Sequence, residues 1–124
     1  MSFCSVYIPV GVPTYHMETA QDQFERSCAM LRSVDPDIVC PDDKLLGVDQ
    51  LRAFLDKLSP DLVIFQNLTF ANAAMMSEVL RRFDCPVLLW TLREPVIDGG
   101  RLRLNSLTGA YSAANTLKAQ KARD

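Results

Sequence analysis

The sequence predicts a three-layer α/β sandwich around a small parallel sheet, on three observations. Two apolar runs, Leu62-Val63-Ile64-Phe65-Gln66 and Val87-Leu88-Leu89-Trp90-Thr91, lack the in–out alternation of a half-exposed antiparallel strand and read as strands buried on both faces. Strand starts recur roughly every 25 to 30 residues, about the length of a βαβ unit. Helical stripes of apolar residues lie between the strands.

In chain order, Ser5-Val6-Tyr7-Ile8-Pro9-Val10 is the first expected strand. Ala20, Phe24, Cys28 and Leu31 then recur at spacings of four, four and three, with Asp22, Glu25, Arg26 and Arg32 on the wet side of a first helix. Asp37-Ile38-Val39-Cys40 is the second strand, and Val48, Leu51, Leu55 and Leu58 make the stripe of a second helix. The run 62–66 is the third strand. Ala73, Met76, Leu80 and Phe83 stripe a third helix, and 87–91 is the fourth strand. After a long loop, Leu107, Ala110, Ala114 and Leu117 stripe an alanine-rich last helix. Val34-Asp35-Pro36, Ser59-Pro60-Asp61 and Asp84-Cys85-Pro86 stop a helix just before each later strand. Right-handed crossovers then build one flavodoxin-like or Rossmann-like domain over residues 1–124. Such sheets usually carry five strands, and residues 118–124 read as helix where another strand is expected. The sheet is therefore expected to be incomplete at one edge, which invites a partner or further chain.

Composition excludes several classes. The 124 residues carry 13 basic and 15 acidic side chains, for a net charge of −2, which does not suit a nucleic-acid binder that depends on a basic surface. No apolar stretch approaches the roughly 20 residues that span a bilayer. Met1-Ser2-Phe3-Cys4-Ser5 lacks a basic signal-peptide start, so a soluble cytoplasmic protein is expected, without nucleic-acid or membrane partners. Cys4, Cys28, Cys40 and Cys85 include no CxxC pair and read as buried, reduced thiols. Charge is uneven: residues 1–80 hold 5 basic and 11 acidic groups, residues 81–124 hold 8 and 4. A basic last third beside an acidic first part suits contact between copies, and a homo-oligomer is expected.

Ligands of open parallel sheets bind outside the carboxyl ends of the strands. The loops there are Gly11-Val12-Pro13-Thr14-Tyr15-His16, Asn67-Leu68-Thr69-Phe70-Ala71-Asn72 and Leu92-Arg93-Glu94-Pro95, with Gln66 just before the second. Their amides, hydroxyls and aromatic rings suit a polyhydroxylated ligand, although Asn67, Thr69 and Asn72 equally suit helix capping. No GxGxxG or GxxxxGK[ST] motif supports a nucleotide site. The stretch from Asp98-Gly99-Gly100-Arg101 to Asn105-Ser106-Leu107-Thr108-Gly109 offers arginines and a helix start to an anion, or Asn105 or Ser106 as a plain N-cap. His16 is the lone histidine, a general base or a loop hydrogen-bonder. Arg93 and Glu94 are expected to form a structural ion pair or a partner contact, since Pro95 restricts Glu94 to extended geometry.

Four segments in order carry a resemblance: Gly11-Val12-Pro13-Thr14-Tyr15-His16-Met17-Glu18; Asn67-Leu68-Thr69-Phe70-Ala71-Asn72-Ala73; Leu89-Trp90-Thr91-Leu92-Arg93-Glu94-Pro95; and Gly99-Gly100-Arg101-Leu102-Arg103-Leu104-Asn105-Ser106-Leu107-Thr108-Gly109-Ala110. Together they resemble the N-terminal domain of the L-fucose isomerase/L-arabinose isomerase superfamily, most closely its fucose isomerase-like branch. The resemblance implies a three-domain, oligomeric aldose–ketose isomerase that works by enediol-type proton transfer. It also implies Mn²⁺ in full-length relatives, held by acidic residues and a histidine of later domains. By the same resemblance, a sugar-contacting position falls at Thr14 to His16, and the family's Thr-Phe loop matches Thr69-Phe70. Its Leu-Asn-Gln-Ser-x-His-Gly segment partly matches Leu104-Asn105-Ser106-Leu107-Thr108-Gly109, one residue shorter and with Thr108 in place of the histidine.

The expected substrate-binding residues are therefore Thr14, Tyr15, His16, Asn67, Thr69, Phe70, Arg101, Asn105 and Ser106. No catalytic or metal-binding residue and no cofactor is expected on this chain. It is read as the substrate-lining N-terminal domain of a sugar isomerase, inactive by itself, with the remaining domains or neighbouring subunits as partners. The alternative is a free-standing flavodoxin-like binding or interaction module without catalysis.

Overall fold

The computed structural model describes residues 3–71, 73–94, 97–98 and 101–123, apart from the side chains of 97, 98, 101 and 121–123. Three parallel strands, β1 (Ser5–Val10), β2 (Leu62–Asn67) and β3 (Val87–Trp90), stand in that order in one sheet. β2 is central, with Ser5 opposite Leu62 on one side and Val63 opposite Val87 on the other. Successive side chains alternate between the two faces. Val6, Ile8, Val10, Val63, Phe65, Val87 and Leu89 meet α2 (Val48–Leu55) and α3 (Ala73–Arg82) on one face. Tyr7, Ile64 and Trp90 meet α1 (Met17–Val34) on the other. Helices on both faces of a parallel sheet make the three-layer α/β sandwich that the sequence predicts.

The expected second strand, 37–40, is reduced to a single rung on the outer edge of β1, with Val39 opposite Val6. Val39 N–H donates to Ser5 O and Tyr7 N–H donates to Val39 O, both at 2.9 Å. The next rung of a parallel ladder would need an N–H from residue 41 and another from residue 9. Both are prolines, so both donors are missing and the chain leaves the sheet. It returns at Leu45, opposite Val10, with Leu45 N–H donating to Pro9 O (2.9 Å) and Gly11 N–H to Leu45 O (3.1 Å).

Inside the α1 face a polar chain replaces apolar packing. The buried Tyr7 hydroxyl donates to Gln66 Oε1, and Gln66 Nε2 donates to Ser27 Oγ at 3.2 Å. Burial pushes the Tyr7 phenol far above its ordinary range, against the opposing hydrogen bond with Ser27, so it stays a neutral donor. Gln66, which the sequence places beside the loop chemistry, is thus an internal structural residue.

Two expectations of burial are corrected. β3 is not buried on both faces: Leu88 is 55% exposed, because α1 lies over β1 and β2 and, among the described helices, its side of the sheet is packed at β3 only through Trp90. In α4 (Ser106–Arg123) the buried face is Ser106, Gly109, Ala110 and Ala113, while Leu107, expected on the apolar stripe, is 56% exposed. Small residues let this helix approach the sheet more closely than a leucine face would. The thiol expectation is also narrowed, since all four cysteines are free but only Cys28 is buried. Residues 97–98 and 101–102, expected as loop, form a short antiparallel ribbon, β4 (Ile97–Asp98) with β5 (Arg101–Leu102).

α2 and α3 are joined by an ionic cluster around the buried Glu78. Arg52 Nε lies 3.1 Å and Arg82 Nε 3.0 Å from its Oε1, Arg81 meets its Oε2, and Arg82 also reaches Asp56 at 2.8 Å. Burial alone would raise the Glu78 carboxyl. Hydrogen bonds from Arg82 and Arg52, with the charges of Arg52 and Arg81, outweigh it and hold the group below its ordinary value of 4.5. The folded carboxylate therefore takes up a proton less readily than the unfolded one. Its contribution is present above pH 4.5 and is lost as the pH falls from there through the lower folded value. Glu78→Gln is expected to lower stability at pH 7 and to flatten the loss of stability on acidification. Urea unfolding at pH 7 and pH 4 measures both, and an unchanged acid slope would show that the cluster contributes nothing.

Candidate functional site

The candidate site grows from the loop that leaves β2. Thr69 is fully buried there, accepting from Val12 N–H at 2.9 Å and donating to Phe70 O at 2.8 Å. On one side of it is Gly11, where a Cβ would stand 2.8 Å from Thr69 Oγ1. On the other is Gly109 of α4, where a Cβ would stand 2.8 Å from Asn67 Nδ2, 3.0 Å from Thr69 O and 3.1 Å from Phe70 Cα. The loop is clamped between two backbones that carry no side chain at the contact. Phe70 N–H completes the clamp by donating to Leu104 O at 2.8 Å.

This brings the first loop and the start of α4 together. His16 caps α1: its Nδ1 accepts from Thr19 N–H at 3.3 Å and lies 2.7 Å from Thr19 Oγ1. With Nδ1 accepting, the proton of the neutral ring sits on Nε2, and the side chain is exposed. His16 N–H donates to Arg103 O at 3.0 Å, and Arg103 Nη1 donates to Thr19 Oγ1 at 3.3 Å. The Tyr15 ring lies 6.5 Å from that of Phe70, tilted by 52°, and Asn105 Nδ2 donates to Tyr15 Oη at 3.5 Å. Asn105 adopts φ 53°, a left-handed conformation that asparagine tolerates, and its Oδ1 accepts from Thr108 Oγ1 at 2.8 Å as the cap of α4.

Glu94 holds that cap in place. Its Oε2 accepts from Leu104 N–H at 3.2 Å and its Oε1 from Asn105 N–H at 2.5 Å. The expected Arg93–Glu94 ion pair does not occur among the described residues, because the carboxylate is engaged by backbone amides. Ser106 is buried and donates to Leu92 O at 3.1 Å. Beside these residues opens a cleft of about 640 Å³, lined by Thr91, Arg93, Glu94, Leu102, Asn105 and Leu107 among others.

Among the described residues, Asn67 Oδ1 and Thr91 Oγ1 are buried here without a hydrogen-bond partner. They occupy neighbouring positions on adjacent strands, one residue beyond the Gln66–Trp90 pair, and so share a face of the sheet. An orphaned buried acceptor or hydroxyl is costly in a folded protein.

Of the residues expected from sequence, Tyr15, Phe70 and Asn105 come together directly. Asn67 and Thr69 lie beneath them, and Thr14 is exposed on the first loop. His16 and Ser106 spend their hydrogen bonds on helix ends and the backbone. The side chain of Arg101, together with Asn72, Pro95, Gly99 and Gly100, lies outside the described residues. Sequence reasoning missed Thr91 as an orphan, Arg103 as a tie to α1 and Glu94 as a backbone anchor. The Trp-x-x-x-Glu-Pro segment contained the only available hint of the last.

No three of the described His, Cys, Asp or Glu side chains gather into a candidate metal site. Among the described residues no helix is long and apolar enough to cross a membrane.

No family model and no solved structure matches the chain. It is similar to curated proteins named sulfoquinovose isomerase. That of Clostridium sp. (strain MSTE9) is 61% identical over 113 residues, covering 91% of this chain and 25% of the relative. That of Priestia aryabhattai is 37% identical over 116 residues, covering 91% and 26%, and that of Alkalicoccus urumqiensis 34% over 115 residues with the same coverage. The relatives are thus sugar isomerases, and the chain spans about a quarter of their length.

The clamp yields a direct expectation. Gly109→Ala adds a methyl against the backbone of Thr69 and Phe70. Overpacking of this kind costs about 1–3 kcal/mol, offset by up to about 1 kcal/mol of better helix propensity. Urea unfolding is expected to show a net loss of about 1–2 kcal/mol; equal or greater stability would mean that α4 is free to move away from the loop.

Proposed function

We propose that these residues form the sugar-lining N-terminal domain of an aldose–ketose isomerase of the fucose isomerase-like branch, acting on sulfoquinovose, a sulfonated sugar. The observation that carries this is the 61% identity to a sulfoquinovose isomerase over nearly the whole chain. Its support in the molecule is the gathering of Tyr15, Phe70 and Asn105 at the carboxyl ends of a parallel sheet.

Each group has a use in holding a sugar. The Tyr15 and Phe70 rings offer an apolar surface to C–H patches, and Asn105 and Tyr15 Oη offer hydrogen bonds to hydroxyls. The exposed Arg93 guanidinium at the cleft suits the sulfonate, since arginine presents several donors to an oxyanion. Thr14, His16, Asn67, Thr69, Arg101 and Ser106 belong to the same lining in this reading, Thr69 and Ser106 by positioning the loop and the helix. Proton transfer, and the Mn²⁺ that assists it, are assigned to the rest of the longer protein. There this domain is joined to further domains and to other copies of itself. The apolar free edge of β3, with Leu88 exposed, is the surface assigned to that contact.

A chimera tests the reading. Replacing the matching quarter of the Clostridium relative with this chain is expected to leave conversion of sulfoquinovose to its ketose intact. In that chimera Phe70→Ala is expected to lower kcat/KM about tenfold or more without loss of folding, since Phe70 is a half-buried loop residue rather than part of a core stripe. A folded but inactive chimera would favour a binding module without catalysis. Loss of folding in Phe70→Ala comparable to that in Leu55→Ala would make Phe70 a core residue.

A further inference from the structure

Two cysteines outside the candidate site share one apolar cluster. Cys28 is buried on the inner face of α1, and Cys40 follows the single Val39 rung at the point where the edge ladder breaks. Both belong to the apolar cluster under α1, and Cys28 lines one cleft with Pro41, the residue next to Cys40. We infer that Cys28 and Cys40 form a dithiol that closes into an intramolecular disulfide under oxidation by a small disulfide.

Three features of the surroundings suit this chemistry. A cleft of about 330 Å³, lined by Cys28, Ala29, Arg32, Pro41 and Asp42 among others, gives a reagent a path to the buried sulfur. Cys40 is the more exposed of the two thiols. Pro41 ends the ladder immediately after it, so the backbone there is not held by strand pairing and can adjust to disulfide geometry. Burial first, and then Cys40, push the Cys28 thiol up to about 12, so the more exposed Cys40 is the thiol that meets the oxidant first.

The exchange balances in two steps. The Cys40 thiolate attacks one sulfur of the small disulfide, whose S–S bond breaks and whose other half leaves as a thiol. Cys28 then gives up its proton and attacks the Cys40 sulfur, forming Cys28–Cys40 and releasing the second small thiol. Two protein thiols lose two electrons, and one small disulfide becomes two thiols. The closed bond would cross-link α1 to the segment that returns to the sheet at Leu45 and holds Gly11, at the base of the first loop.

The test uses oxidised glutathione and the intact chain at neutral pH. Trypsin separates the two residues onto the peptides 27–32 and 33–44, because Arg26, Arg32 and Lys44 flank them. Mass spectrometry without reductant is expected to find these two peptides linked, and the titratable thiols in denaturant to fall from four to two, reversibly with dithiothreitol. Cys28→Ser is expected instead to retain glutathione on Cys40. Links to Cys4 or Cys85, or mixed disulfides alone on the unsubstituted chain, would overturn the inference, and neither reading depends on whether a variant folds.

Discussion

The structure depends on how closely two backbones approach the loop after β2. Gly11 and Gly109 leave no room for a Cβ against Asn67, Thr69 and Phe70, and that contact joins the end of β1, the end of β2 and the start of α4 into one corner. Everything offered to a ligand follows from it. Phe70 reaches Tyr15, Asn105 reaches Tyr15, and the hydrogen bond from Phe70 N–H to Leu104 O ties the loop to the strap that precedes α4. Glu94 secures the same strap from below by accepting two of its amides.

The polar groups of the sheet divide into satisfied and orphaned sets. Tyr7, Gln66 and Ser27 satisfy one another within the α1 face and need nothing further. Among the described residues, Asn67 Oδ1 at the end of β2 and Thr91 Oγ1 just after β3 have no partner, and they lie at the carboxyl ends of the strands.

Much of the scaffold was legible because strand and helix periods are local. The unbroken runs 62–66 and 87–91 placed β2 and β3 within one residue, and the stripe Ala20, Phe24, Cys28, Leu31 placed α1 within three at each end. What failed depended on tertiary context. Asp37–Cys40 reads as a strand by composition, yet Pro9 and Pro41 together remove both donors of the next rung, a coincidence visible only once the register is known. Leu107 fits an apolar stripe, but Gly109 and Ala113 set the buried face of α4 through closeness rather than hydrophobicity. In the site, Tyr15, Phe70 and Asn105 were readable as residue types on the right loops. The role of Glu94 was not, because its partners are backbone amides ten and eleven positions away.

The central claim is that the corner built by the first loop, the β2–α3 loop and the start of α4 faces the sugar. Hydrogen–deuterium exchange of the full-length chimera, with and without sulfoquinovose, tests it most directly. The account predicts slowed exchange in peptides covering residues 11–19, 67–71 and 102–109, with little change in 26–44. Protection confined to segments outside this chain, or to the α1 face around Cys28, would contradict it.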